Sequence, residues 1–365
     1  MRLLMLLGLC LHAAPKDTTL VSAKEPAWPV AAGHNKKGQW CAARWNPKDS
    51  QWQVIVEDAA RSRIARGTLL WDGARLLVWA GIGDAKSRRA VSLDWRRKTW
   101  EEMPESSMPW SVHTAAAVHG RELLLWGGFD TVANRVTGDG VAYDPVAKEW
   151  SKLPPAPLKD RYCHIGVRIG TKFLVWGGDE YVKASYLKDG AAFDVRTRTW
   201  EKLPDAPVEG RAAHAAAVLK GRMFVWGGTT GRRATFDDGA VYDPAQGKWE
   251  KLPPAPIAGR YHHVAAAVRG RVFVWGGFEL GDVLRKDGAL YDPGEGKWRK
   301  IPEAPIPGRH SPLVTVVGGR VFVFGGVDKE GRELKDGAVY DVDSATWKEL
   351  PALPFEPFAW HLTCP

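Results

Sequence analysis

The sequence predicts an all-β protein built from seven copies of one small antiparallel unit, and its repeats carry that prediction. Tryptophan recurs every 48 to 50 residues along the chain, at Trp52, Trp100, Trp150, Trp200, Trp249, Trp298 and Trp347. An Asp or Asn stands six residues before each of them, and a glycine-containing apolar run stands further upstream. Self-similarity at a fixed period of this length indicates a repeat architecture rather than several unrelated domains.

One unit, residues 210–256, shows how each copy folds. Its four short apolar runs are residues 213–219, 223–226, 239–242 and 249–252. Gly221 and Arg222 predict a tight turn after the first run, and residues 243–247 contain the Asp and Pro that favour a hairpin turn after the third. A proline-rich stretch, residues 253–256, then ends strand pairing. Each copy is therefore predicted to be a four-stranded antiparallel sheet.

Repeated sheets of this kind pack radially as the blades of a β-propeller. The N-terminal copy has counterparts of the second, third and fourth strands but lacks a first one. Residues 354–364 match the opening of a copy and then stop. We therefore expect seven blades, with the C-terminal strand pairing with the N-terminal blade to remove the open sheet edge.

The repeat itself resembles a known family. In one copy, the pair Gly227 and Gly228 is followed by the pair Tyr242 and Asp243, and Trp249 comes six residues after the Asp. Equivalent aromatic–Asp pairs are Tyr143–Asp144, Phe193–Asp194, Tyr291–Asp292 and Tyr340–Asp341. This pattern resembles the kelch repeat and covers about residues 27–365. The resemblance implies a propeller fold, but folds of this kind host many functions.

The N-terminal residues suggest that a bacterial cell exports the protein. Residues 1–15 carry one positive charge, an apolar run and then small residues, which is the pattern of a signal peptide. Residues 16–26 would be a short linker, and residues 27–365 the propeller. We expect a periplasmic, secreted or cell-surface location. A lipid anchor at Cys10 is disfavoured, because Leu9 is bulky where a lipoprotein signal has a small residue. A disulfide bridge between Cys41 and Cys364 is left open.

Composition narrows the partner classes. The 51 Lys and Arg against 42 Asp and Glu give a net charge of +9, which favours acidic partners. Basic residues are scattered and form no run of five interleaved with aromatics. We therefore expect no nucleic-acid partner. No apolar run after the N-terminus approaches the roughly 18 residues of a membrane helix, so we expect no transmembrane segment.

Candidate binding residues lie on the face that carries the loops between strands two and three and between successive units. Those loops vary from copy to copy, and variable loops on a rigid scaffold commonly carry function. The innermost strands on this face begin with Arg-x-x-His, which predicts a broken basic ring at the mouth of the central channel. The candidate residues are Arg161, Arg211, Arg260, Arg309, Trp110, Tyr181 and Phe358. Two further segments match this motif but have another residue in place of the Arg. They are Trp110 with His113, and Phe358 with His361.

Two interpretations of the arginines stay open. The resemblance to kelch domains that bind acidic peptides implies a binding role. However, Asp189, Asp238, Asp287 and Asp336 begin the third strands on the same face, and an Asp–Arg–His network would satisfy all three groups within the scaffold. The recurrence of the pattern favours the scaffold interpretation.

We expect a monomeric, non-catalytic binding module for a protein or a glycan, with no cofactor and no metal. The alternative is a carbohydrate-active enzyme resembling galactose oxidase, which uses copper, or a sialic-acid epimerase. The segments Tyr162-Cys163-His164 and Tyr261-His262-His263 offer residue types found in the copper site. They occupy equivalent repeat positions, which fits repeat material better than a single catalytic centre.

Overall fold

A computed structural model describes residues 10–11, 30–34, 40–58, 67–71, 75–80, 90–109, 111–181, 185–231 and 233–357. Every secondary-structure element in these ranges is a β-strand. Within them we find no apolar helix of membrane-spanning length. The predicted signal peptide and linker lie outside these ranges apart from Cys10 and Leu11, so both stay predictions.

Six sheets, here called sheets 2 to 7, are each built around four consecutive antiparallel strands. Sheet 2 contains Gly67–Trp71, Arg75–Ala80, Ala90–Asp94 and Thr99–Glu102. Sheet 3 contains Ala115–His119, Glu122–Asp130, Arg135–Asp144 and Glu149–Lys152, and Ser111–Val112 pairs with its second strand. Sheet 4 contains Ile165–Ile169, Lys172–Trp176, Gly190–Asp194 and Thr199–Lys202.

The same order of strands continues to the C-terminal part of the chain. Sheet 5 contains Ala215–Leu219, Arg222–Trp226, Gly239–Asp243 and Lys248–Lys251. Sheet 6 contains Val264–Val268, Arg271–Trp275, Gly288–Asp292 and Lys297–Ile301, and a small hairpin, Phe278–Glu279 with Val283–Leu284, lies in its second loop. Sheet 7 contains Leu313–Val317, Arg320–Phe324, Gly337–Asp341 and Thr346–Leu350, with Cys10–Leu11 parallel to the first of these.

Sheet 1 combines strands from both ends of the chain. Val30–His34, Trp40–Asn46 and Gln51–Asp58 are consecutive, and Glu356–Pro357 pairs antiparallel with Val30–His34. In that pairing Gly33 lies opposite Pro357 and His34 lies opposite Glu356. The innermost strands of sheets 2 to 7 contact one another in chain order. The prediction of an all-β propeller made of four-stranded antiparallel sheets is therefore confirmed.

The recurring tryptophans link neighbouring sheets. Trp200, in the outer strand of sheet 4, packs against Trp126 of sheet 3 with ring centroids 5.8 Å apart. Its indole N–H also donates to the carbonyl of Pro154, in the segment that leaves sheet 3, at 2.9 Å. Trp249 repeats both contacts one sheet later, at 5.6 Å from Trp176. Each tryptophan therefore combines aromatic packing with a directional hydrogen bond across an inter-sheet boundary.

The glycine pairs allow adjacent sheets to approach closely. Gly227 and Gly228 both have positive φ angles, of 70° and 99°, which glycine adopts without steric cost. A Cβ atom at Gly227 would also lie 2.5 Å from Cε1 of His263 in sheet 6. A side chain larger than hydrogen would therefore push the two sheets apart at this point.

Replacing Trp200 by Ala is expected to lower the free energy of unfolding by about 3 kcal/mol, because the inter-sheet ring contact and its hydrogen bond are both lost. Trp200→Phe keeps an aromatic ring and should cost about 1 kcal/mol. Urea denaturation measures both, and Lys202→Ala, at an exposed position at the end of the same strand, is the control. A loss under about 0.5 kcal/mol for Trp200→Ala would contradict the packing role.

Candidate functional site

The candidate site lies around the channel mouth, on the face that holds the loops leading to the first and third strands of each sheet. We call it the long-loop face; its described residues lie in 103–114, 129–139, 153–164, 179–189, 203–214, 229–238, 252–263, 278–287, 301–312, 327–336 and 351–357. Five mouth segments, residues 111–114, 161–164, 211–214, 260–263 and 309–312, each precede the innermost strand of a sheet.

Each mouth segment is fixed to its own sheet through one backbone bridge. Val112 pairs with Phe129 within the strand pairing of sheet 3. Four further bridges join Tyr162 to Asp179, Ala212 to Thr229, Tyr261 to Phe278 and His310 to Val327. The five residues on the mouth side are therefore structurally equivalent, although their side chains differ. We call them the bridge positions.

Backbone hydrogen bonds also join neighbouring mouth segments to one another. The residue after each bridge position adopts a left-handed conformation, with φ between 48° and 55°, at His113, Cys163, Ala213, His262 and Ser311. The N–H of Ala213 donates to the carbonyl of Cys163 at 3.0 Å, and the N–H of His262 donates to the carbonyl of Ala213 at 2.9 Å. The N–H of Ser311 continues the series to the carbonyl of His262 at 2.7 Å. The mouth is thus held by main-chain contacts that do not depend on side-chain identity.

The four arginines lie beneath this mouth and are fully buried, with no exposed surface at Arg161, Arg211, Arg260 or Arg309. Arg161 Nη1 donates to Asp189 Oδ1 at 2.9 Å and to the carbonyl of Gly177 at 3.1 Å. Its Nε donates to the carbonyl of Lys159 at 3.0 Å. These contacts favour the scaffold interpretation; ligand binding by the arginines stays a prediction, and their burial weighs against it.

The other arginines repeat this arrangement with their own aspartates. Arg211 lies 2.8 Å from Asp238, Arg260 lies 3.0 Å from Asp287, and Arg309 makes two hydrogen bonds to Asp336 at 2.9 and 2.7 Å. Burial lowers the pKa of Arg211, while the charge of Asp238 opposes that shift. The positive charge of each guanidinium group is thus balanced by an aspartate inside the protein. The four arginines therefore contribute little basic character to the mouth.

The histidines of the motif form inter-sheet contacts. His164, His214 and His263 are buried, and their rings lie edge-on to Trp126, Trp176 and Trp226 of the preceding sheet at 5.2, 4.9 and 5.2 Å. Burial lowers the pKa of His164 and of His263 to about 3. These rings are therefore neutral at physiological pH, and the predicted basic ring is not formed by histidine.

The alignment of His113 with the motif histidines is wrong by one residue. Ala115 lies opposite Trp126 in sheet 3, as Ile165 lies opposite Trp176 in sheet 4. Ala115 is therefore equivalent to Ile165. By the same register, Thr114 is equivalent to His164 and Ser111 is equivalent to Arg161. His113 instead takes the left-handed position of Cys163. The single-residue offset arises because identical letters, rather than strand register, guided the alignment.

An aromatic patch that includes one predicted binding residue lies beside the mouth. Tyr181 is half-buried, and its ring lies 4.7 Å from Phe129 and 5.7 Å from Tyr162. Val112 and Tyr186 belong to the same apolar cluster. We call these five residues the aromatic patch. Trp110 and Phe358, the other two predicted aromatic residues, lie outside the described residues, so their roles stay predictions.

A second aromatic group was missed by the sequence interpretation. Phe278 stacks on His310 at 4.4 Å and on Tyr261 at 5.4 Å. Tyr261 and His310 both hold bridge positions, and Phe278 is the partner of one of them. The residue that directly follows the repeated Arg differs from sheet to sheet. This variation was the signal in the sequence for the second aromatic group.

Acidic groups outnumber basic ones among the described residues of the long-loop face. These residues include 13 Lys and Arg, at 135, 159, 161, 188, 211, 233, 260, 285, 286, 309, 329, 332 and 335. They include 19 Asp and Glu, at 105, 130, 139, 160, 179, 180, 189, 205, 209, 237, 238, 279, 282, 287, 303, 328, 330, 333 and 336. Segments 35–39, 59–66, 81–89, 182–184 and 232, which lie outside the described residues, add ten Lys and Arg and one Asp to the sequence between the strands.

The copper-type residues of the alternative hypothesis lie at corresponding places in two sheets. Tyr162 and Tyr261 hold bridge positions, and Cys163 and His262 follow them in the left-handed conformation. Among the described residues, no three His, Cys, Asp or Glu side chains are grouped in a way that could hold a metal ion.

Comparison with known proteins assigns the family. The KLHDC2/KLHL20/DRC7 Kelch-repeats domain matches residues 30–205 and 163–364, which together span most of the sequence. The chain therefore belongs to the kelch-repeat family of β-propellers. The solved structure of YjhT is similar to this chain, with a TM-score of 0.63 and 18% sequence identity over 79% of this chain and 97% of that one. That likeness shows the fold alone. No curated protein matches the sequence.

Arg211→Ala is expected to destabilise the protein by about 3 kcal/mol or more, because Asp238 is then left without its buried partner. The control is Arg222→Ala, whose partly exposed pair with Asp243 lies at 3.6 Å and should contribute no more than about 1 kcal/mol. Chemical denaturation measures both variants. An unchanged free energy of unfolding for Arg211→Ala would show that this arginine is not part of the scaffold.

Proposed function

We propose that this chain is a non-catalytic binding module whose long-loop face captures another protein around the channel mouth. The observation that carries the proposal is the variation of the loops between strands two and three, which place residues such as Tyr181, Leu280 and Lys329 at half-buried or exposed positions in successive sheets. These loops leave the sheets beside buried residues that recur and serve the scaffold. Side chains that differ on a constant backbone are the part of a repeat protein that can encode specificity.

The aromatic patch suits this role physically. Tyr181 is half-buried, so its ring is braced by Phe129 and Tyr162 while part of it faces solvent. Tyrosine loses little conformational freedom on binding, and tyrosine anchors often dominate interface energetics. Kelch propellers generally bind proteins, which supports a protein partner over a small-molecule substrate.

Burial of the arginines removes one argument for an acidic partner. The sequence had favoured an acidic partner on the net charge of the whole chain and on four arginines at the mouth. Those arginines are buried and matched by aspartates. The half-buried aromatic patch instead complements a segment that presents apolar or aromatic anchors.

Panning a library of random peptides against the full chain tests this function. We expect enriched peptides to contain aromatic or large apolar residues, and Tyr181→Ala to weaken their binding by about tenfold or more. The matched control is Val146→Ser, at an exposed tip on the opposite face, which should bind normally. A glycan array run in parallel separates the protein from the glycan hypothesis.

Two results would overturn the proposal. One is unchanged peptide binding by a Tyr181→Ala protein that melts like the parent. The other is binding on the glycan array with no enrichment of peptides.

We propose further that the propeller has seven blades, with sheet 1 lying between sheets 7 and 2 and closed by the C-terminal strand. Trp52 supports this placement because its indole N–H donates to the carbonyl of Pro351 at 3.1 Å and its ring lies 5.2 Å from Phe324 of sheet 7. Trp200 makes the equivalent two contacts with sheet 3, a hydrogen bond to the carbonyl of Pro154 and a ring contact with Trp126. An apolar cluster also joins Trp45 of sheet 1 to Leu76 of sheet 2.

Deleting residues 355–365 tests this closure. The edge of Val30–His34 would lose its partner strand, so we expect a lower melting temperature and aggregation through the unpaired edge. Adding the missing segment as a synthetic peptide should restore the melting temperature. If the truncated chain elutes as a monomer and melts normally, the C-terminal strand does not close the ring.

A further inference from the structure

The opposite face of the propeller is built from the short turns between strands one and two and between strands three and four. We call it the short-turn face; its described residues are 46–51, 94–99, 119–122, 144–149, 169–172, 194–199, 219–222, 243–248, 268–271, 292–297, 317–320 and 341–346. Its one-to-two turns have only two residues between paired positions, as between Leu219 and Arg222. With no long loop projecting from it, this face is close to a flat annulus.

Basic residues outnumber acidic ones among the described residues of this face. They include 16 Lys and Arg, at 48, 96, 97, 98, 121, 148, 172, 196, 198, 220, 222, 248, 269, 271, 297 and 320. They include 11 Asp and Glu, at 49, 94, 122, 144, 149, 194, 243, 292, 295, 341 and 343. The described short-turn face therefore carries a net positive charge.

Most acidic groups on the short-turn face are held in place by the turns themselves. Asp94, Asp194 and Asp243 each accept hydrogen bonds from backbone N–H groups two or three residues onward. The N–H groups of Arg97 and Arg196 lower the pKa of Asp94 and of Asp194 respectively. Asp144, Asp292 and Asp341 make the same turn contacts. These carboxylates are committed to local structure.

Many of the cations on this face have no such commitment. Nine exposed basic side chains make no ion pair with any carboxylate in the described part of the chain; they are Lys48, Arg96, Arg97, Lys98, Arg121, Arg196, Lys220, Lys248 and Lys297. They come from sheets 1 to 6, so they are spread around the ring. A distributed set of this kind can contact one plane simultaneously.

Turn geometry does not require a basic residue at the places of Lys98 and Lys220, two of these nine cations, whose φ angles are 56° and 51°. The equivalent left-handed place of Lys98 is held by Gly247 and Gly296 in two other sheets, and by Ser50 and Ala345 in two more. In the one-to-two turns, Gly120, Gly170 and Gly318 hold the place of Lys220. Glycine adopts this conformation without the strain of a side chain, so turn formation alone does not explain the choice of lysine.

We propose that the short-turn face docks on an anionic phospholipid membrane surface. Basic side chains near such a surface are attracted to its headgroups, and the nine unpaired cations around the ring can contact one plane together. Val146, 68% exposed on this face, adds an apolar tip suited to the headgroup region. Nucleic acid is disfavoured, because Trp95, the one Trp, Tyr or Phe in the described turns of this face, is half-buried and leaves no fully exposed ring on which bases could stack. In this orientation the channel mouth stays free.

Vesicle sedimentation with the full chain tests the proposal. Phosphatidylcholine vesicles containing about 30% phosphatidylglycerol should bind the protein at about 0.05 M salt, and about 0.5 M salt should release it. Pure phosphatidylcholine should bind at least about tenfold less. The triple variant Arg96→Glu, Arg97→Glu and Lys220→Glu should lose more than about tenfold in vesicle affinity.

The matched control reverses three exposed cations on the long-loop face, Arg135→Glu, Arg233→Glu and Lys329→Glu, and should lose less than about twofold. Equal losses in both triple variants would overturn the proposal, since net charge rather than this face would then govern binding. Failure to bind anionic vesicles, or tighter binding to duplex DNA than to vesicles, would also overturn it. Peptide capture at the channel mouth should be unchanged in the short-turn variant, which separates this proposal from the function proposed above.

Discussion

The buried guanidinium group that begins four of the five mouth segments is the contact on which the upper part of the propeller depends. In sheet 5, Arg211 joins Asp238 at the start of the third strand, the carbonyl of Gly227 at the end of the second, and the carbonyl of Glu209 in the incoming loop. One side chain therefore ties three separate stretches of chain together. Because the glycine pair at that point also contacts the next sheet, the same group indirectly sets the spacing between sheets.

Sequence periodicity was sufficient to predict the fold, because each sheet repeats its own turn chemistry. Gly221 marks the turn between strands one and two, and Asp243 marks the turn between strands three and four. Each signal lies within the few residues of its own turn, so it can be recognised without a structure. The outcome at Arg211 was harder to predict. Whether its charge faces a ligand or an aspartate depends on burial, and burial is produced by neighbouring sheets rather than by adjacent residues. The recurrence of the motif pointed to the correct interpretation but could not establish it.

The remaining site residues show two further limits of sequence analysis. His113 was assigned to the wrong repeat position because a one-residue offset in a mouth segment is invisible until strand register is known. The stack of Tyr261, Phe278 and His310 was missed because its members are far apart in the repeat and meet only through a backbone bridge. Charge behaves in the same way. A net charge of +9 describes the chain, whereas the fold decides which charges are buried with partners, as at Arg211, and which stay exposed without one, as at Lys220.

The chain of backbone hydrogen bonds from Cys163 through Ala213 and His262 to Ser311 has a consequence for protein engineering. Since the main chain supplies these contacts, exposed loop residues such as Val132, Leu280 and Lys329 can be randomised without removing the support beneath them. The bridge positions themselves are unsuited to randomisation, because Tyr162, Ala212 and His310 are at most 3% exposed. A combinatorial library in the loops would therefore sample new recognition surfaces on a scaffold whose geometry is set elsewhere.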